Sequence, residues 1–128
     1  MEQKYNKWIE YLLRLGVACI FAGHGVFALQ VNPPWIHYLT TVGFSSEQAT
    51  FIMPLIGGLD IVVALHVLLF PMEYILIWAV IWTFSTALVR PISGEPIWAF
   101  VERGGNWVTP LVLILFLRIK AKKLREEE

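Results

Sequence analysis

In this chain of 128 residues, the side chains able to do chemistry gather in a few places. His24 sits between two glycines in the string GHG. Arg90, Glu95, Trp98, Glu102, Arg103 and Asn106 all fall in or beside one later stretch, RPISGEPIWAFVERGGN. A histidine exchanges a proton near neutral pH or hydrogen-bonds an oxygen. A guanidinium stabilises negative charge developing on such an oxygen, and a tryptophan offers a face on which a ring stacks. His24, Arg90, Glu95, Trp98, Glu102, Arg103 and Asn106 are therefore expected to form a ligand site, with Trp35, Trp82 and Trp107 available as walls. A second reading stays open, in which these charges pair among themselves and only pin the connection. A lock pairs its charges one to one; a site leaves an arginine free.

Other chemistries find no support in the residue types. The only cysteine, Cys19, excludes a disulfide framework and any multi-thiolate metal centre. A metal at His24, Glu95 and Glu102 would need ligands scattered over two segments, so no metal site is expected. His24 and His66 differ in expected depth by about 18 Å, too far for one bis-histidine haem. No nucleophile–base pair or phosphate loop is present, and no residue is assigned a catalytic role. The formal net charge of zero provides no basic field for nucleic acid.

The elements that must position these residues follow from composition. Hydrophobic residues make up 57% and charged residues 16%, with a mean hydropathy of +0.62. A globule of this size has too little interior to hide them. The expected fold is an all-α integral membrane four-helix bundle, a single transmembrane domain over residues 1–128 with the lipid bilayer as its surroundings. A spanning helix needs about 20 mostly apolar residues, and four runs qualify, at about 8–29, 49–70, 73–90 and 106–119. No period-two alternation suggests a barrel. A short interfacial helix is expected in WIHYLTTVGF, with Ser45 and Gln48 at capping-box spacing before the second span. Between the third and fourth spans, PIWAFVER should form a short re-entrant or interfacial helix that begins at Pro96 and closes at Gly104-Gly105.

Depth along these spans suggests one further contact. At ~1.5 Å per residue, Arg14 lies about 9 Å and Asp60 about 15 Å from the inner boundary, within reach of an arginine side chain. They are expected to form a buried ion pair, with snorkelling of Arg14 to the headgroups as the competing outcome. Seven of the ten Lys and Arg flank the chain's ends (Lys4, Lys7, Arg118, Lys120, Lys122, Lys123 and Arg125), against only Arg90 and Arg103 on the opposite side. The positive-inside rule then places both termini in the cytoplasm.

With GHG in the first span, GGLDIVVALHVLLFP in the second and TALVRPISGE ending the third, the chain resembles the DoxX-like family of small four-helix bacterial membrane proteins. The resemblance implies the bacterial cytoplasmic (inner) membrane and a redox-linked role, with a quinone as the implied ligand. Since the chain carries no second redox centre, a redox partner protein would supply the electrons. The alternative is a non-enzymatic small-solute or proton-coupled transporter, which a homo-oligomer would suit, or an assembly subunit of a membrane complex.

Overall fold

The computed structural model describes residues 2–128, with side chains from Lys7 onward; the Lys4 side chain lies outside the described residues. Six helices follow in order: α1 (Glu2–Leu29), α2 (Pro33–Thr41), α3 (Ser46–Leu69), α4 (Glu73–Ile92), α5 (Trp98–Val101) and α6 (Gly104–Glu126). Four are long and apolar enough to cross a membrane: α1, α3, α4 and the segment ending in α6. Large apolar residues such as Leu12, Phe51, Leu65 and Leu115 face outward. Contiguous apolar exposure on this scale suits lipid rather than water. The molecule is a multi-pass membrane protein folded as an all-helical bundle.

The local signals explain the ends of these helices. Ser45 Oγ accepts from the Gln48 backbone N–H at 3.1 Å, and Gln48 Oε1 accepts from the Ser45 N–H at 3.0 Å, the expected capping box. Helix α2 starts earlier than expected because Pro33 and Pro34 occupy its first turn, where no N–H is needed. Helices α2 and α4 both end in paired Schellman bonds. Phe44 N–H donates to Leu39 and Gly43 N–H to Thr40; Glu95 N–H donates to Arg90 and Gly94 N–H to Pro91. Gly43 at φ 112° and Gly94 at φ 107° supply the left-handed residue each motif needs.

Two expectations at the third connection are corrected. The short helix is the single turn Trp98–Val101 rather than PIWAFVER, and Gly104-Gly105 open α6 instead of closing the helix before it. The fourth span is accordingly 23 residues long, starting at Gly104 and running past Ile119 into the charged tail. Pro91 lies inside the last turn of α4, which continues to Ile92; so close to the terminus its missing N–H removes only one bond.

Helix α1 packs along α3 and α6, and α6 along α4, so the order around the bundle is α3–α1–α6–α4. The fourth side is weak. Although α3 and α4 are joined by the tight turn Phe70-Pro71-Met72, they touch little, and α2 lies across both. The dry core fills the half of the bundle nearest that turn, with Val17, Ala18 and Phe21 of α1, Val63, Ala64 and Val67 of α3, Leu76 and Ala79 of α4, and Leu113 and Ile114 of α6. Beyond it, toward α2, α3 and α4 separate.

The same half carries the paired charges. Glu10, 6% exposed, binds Arg14 at 3.2 Å and Lys120 at 3.4 Å, tying the start of α1 to the end of α6. Glu73 pairs with Arg118. His66 Nδ1–H donates to the Phe70 carbonyl at 2.7 Å, which leaves Nε2 to accept from the Tyr74 hydroxyl at 2.7 Å. Glu10→Ala leaves the half-buried Arg14, and Lys120, without their carboxylate and is expected to lower stability by about 2 kcal/mol, as for a lost hydrogen bond between charged groups. Thermal unfolding in detergent checks this, with Glu128→Ala, exposed and beyond the end of α6, as the neutral control.

Candidate functional site

Where α3 and α4 part, they leave a partly open cavity of about 340 Å³ roofed by α2. Its walls come from four helices: His24 and Ala28 of α1, Trp35 and Tyr38 of α2, Met53, Ile56 and Asp60 of α3, and Trp82, Val89 and Arg90 of α4. The lining is overwhelmingly apolar, with a few converging polar groups, the usual make-up of a small-molecule site.

Arg90 is the dominant polar feature. It is 5% exposed, and its Nη1 donates to the Tyr38 hydroxyl at 2.7 Å. Its guanidinium carbon lies 4.8 Å from the Tyr38 ring centre and 6.0 Å from that of Trp35. Its Nε has no partner, and no carboxylate pairs with it among the described residues. The α2 roof is held to this end of α4 by Tyr38 and by His37, whose Nε2 donates to the Ser93 carbonyl at 2.9 Å. Burial, and then the Glu95 carboxylate within hydrogen-bonding reach, push the Tyr38 phenol above its ordinary pKa against the opposing pull of Arg90. Tyr38 therefore stays neutral at physiological pH.

His24 stands edge-on to Trp35, with ring centres 5.6 Å apart. His37 and His66 are hydrogen-bonded, whereas His24 makes no side-chain hydrogen bond among the described residues. Its ring nitrogens are thus free for a guest.

The structure brings only part of the expected site together. His24 and Arg90 line the cavity. Glu95 and Arg103 stand near enough to act electrostatically on Arg90 and Tyr38, but neither lines the cavity. Glu102 is held by Arg103 at 2.6 Å, and Arg103 also donates to the Ala99 carbonyl at 2.8 Å. Asn106 sits in the first turn of α6, its backbone N–H bonded to Arg103. Trp98 is 72% exposed and turns away from the cavity, so the aromatic walls are Trp35 and Trp82.

The expected Arg14–Asp60 pair does not form. Arg14 reaches toward the chain's ends, to Glu10 and to the Leu68 carbonyl at 3.4 Å, as a snorkelling arginine does. Asp60, 2% exposed, joins His24 and Arg90 on the cavity wall. The cause is helix register. A Cβ on Gly57 would lie 2.7 Å from the Gly25 carbonyl oxygen, so α1 and α3 meet backbone to backbone there. This contact sets Gly25, and His24 beside it, only about one helical turn from the level of Asp60. Tyr38 was missed because nothing in the linear sequence places α2 over the gap.

The chain matches no protein-family model, no characterised protein and no solved structure.

Proposed function

We propose that this protein binds a small lipophilic ligand in the α3–α4 cavity, gripping an acceptor oxygen of that ligand with Arg90. The observation that carries the reading is Arg90 itself: nearly fully buried, lining a cavity, and without a carboxylate partner. A charge in such a place is costly unless compensated. A carbonyl or anionic oxygen entering the cavity would accept from the guanidinium, His24 would hydrogen-bond the same guest, and the Trp35 and Trp82 faces would cover its ring. A quinone has this chemistry. The reading fits the resemblance to DoxX-like proteins of the bacterial inner membrane and a redox-linked role beside a partner protein. A transporter has less support, because a packed cluster of buried apolar residues lies between the cavity and the end that carries the paired charges.

Extraction of the gently purified protein, followed by mass analysis, tests the proposal. One lipophilic molecule other than a phospholipid, with a carbonyl or anionic oxygen, near one per chain, is expected; phospholipid alone counts against it. The orientation follows from the cationic ends. Single cysteines at Gln3 and Ser46, in a Cys19→Ser background, should label from opposite sides of the membrane, Gln3 from the cytoplasm. Labelling of both from one side contradicts that orientation.

A further inference from the structure

The cavity has a second polar end that the Arg90 reading leaves unused. Asp60 is buried at its wall, and its Oδ1 has no hydrogen-bond partner among the described residues. Trp82 lines the cavity beside the same carboxyl group, and Oδ1 stays without a donor. A buried acceptor without a donor is unfavourable, so such atoms in folded proteins generally have a partner. Arg14, the cation expected to pair with Asp60, is taken up by Glu10 and Leu68 instead.

The two ends differ in chemistry. An arginine carries donors and no acceptor, whereas the free Asp60 oxygen accepts. Arg90 lies eight residues beyond Trp82 on α4, a rise of about 12 Å, and His24 lies about one turn from Asp60. The walls between are mostly apolar, formed by Met53, Ile56 and Val89, and the two hydroxyls among them, Ser85 and Thr86, donate to the Ile81 and Thr83 carbonyls of their own helix. The cavity is thus donor-lined at one end, apolar in the middle and acceptor-lined at the other.

We infer that Asp60 is a second binding point that receives an O–H or N–H donor, so that the site selects a guest carrying both an acceptor oxygen and a hydroxyl-type donor, as a hydroquinone does and a fully O-alkylated ring does not. This rests on the reading of Arg90 as the first binding point. No bond is made or broken; the claim concerns recognition alone.

The test uses two probes with the same decyl tail, a benzoquinol and its dimethyl ether, in anaerobic equilibrium dialysis against the purified full chain. The wild-type protein is expected to bind the benzoquinol about tenfold more tightly, the ratio set by one additional hydrogen bond. Asp60→Leu should bring the ratio near one while leaving the ether's affinity within about twofold. Asp60→Asn keeps an acceptor oxygen at the same place and should keep most of the preference. Arg90→Gln should weaken both probes alike and leave the ratio in place, which reads the first binding point separately. A wild-type ratio near one, or a preference that survives Asp60→Leu, overturns the inference and leaves the Arg90 reading standing. If neither probe binds saturably to the wild-type chain, both fall. Should Asp60→Leu fail to fold, the wild-type ratio and the Asn variant still decide.

Discussion

Arg90→Gln is expected to weaken binding of a decyl-substituted benzoquinone by about thirtyfold, within the range for a lost hydrogen bond to a charged group. Glutamine is two bonds shorter than arginine and does not reach the Tyr38 hydroxyl, so the α2 roof is expected to stay in place through His37 on Ser93. It also removes a buried charge that has no ion-pair partner among the described residues, which offsets the lost Tyr38 bond. Folded yield and melting temperature should therefore hold or rise while affinity falls. That combination separates a site from a scaffold: an arginine kept only for structure would take stability down with it. Trp82 and Trp35 line the cavity and should report the titration through quenching of their emission. Unchanged affinity in Arg90→Gln would remove this residue from recognition.

The second large effect is steric. In Gly57→Ala the added methyl would sit 2.7 Å from both the Gly25 carbonyl oxygen and the Leu29 backbone nitrogen. Backbone in two packed helices cannot yield as a flexible side chain does, so α1 and α3 must move apart along their most extensive interface. The expected loss is about 3 kcal/mol, the upper part of the range for overpacking. Gly58→Ala is the matched control, since a Cβ there meets nothing within 4 Å; alanine should be neutral or slightly stabilising through helix propensity. Thermal unfolding of the two variants side by side checks this. Equal melting temperatures would mean that the helices do not approach so closely.

The same glycine contact shows where sequence reasoning stopped. The four spans were legible because apolar runs of the right length have one solution in lipid, and the Ser45–Gln48 cap because its chemistry is local. Register between helices was not legible from depth counted at 1.5 Å per residue, because that count assumes aligned helix ends. With Gly25 packed against Gly57, α1, which begins at Glu2, runs well past the Leu69 end of α3. This offset assigned Asp60 to Arg14 instead of to the cavity. The information was present in GHG and GGLD, since two glycine pairs on antiparallel helices allow a close approach and bring the adjoining His24 and Asp60 toward one level. The gap between α3 and α4 is another matter. A tight turn makes two helices neighbours at one end and leaves their separation at the other to the packing of α1, α2 and α6.

Of the charges at the α2 end of the bundle, Glu102 and Arg103 pair away from the cavity, Glu95 stands near Arg90 without an ion pair, and Arg90, with no carboxylate in salt-bridge contact among the described residues, lines the cavity. The distinction between lock and site drawn from the sequence therefore divides that cluster instead of describing all of it. Lock chemistry is concentrated at the other end, in Glu10, Arg14 and Lys120, in Glu73 and Arg118, and in His66 and Tyr74.

Photolabelling with a diazirine-bearing alkyl benzoquinone, followed by peptide mapping, locates the guest directly. A ligand held in the cavity marks α3 between Ile52 and Ile56 and α4 between Trp82 and Val89, and an excess of unlabelled benzoquinone suppresses that labelling. Labels confined to lipid-facing residues such as Leu12 and Leu115, insensitive to competitor, would contradict a ligand site between α3 and α4.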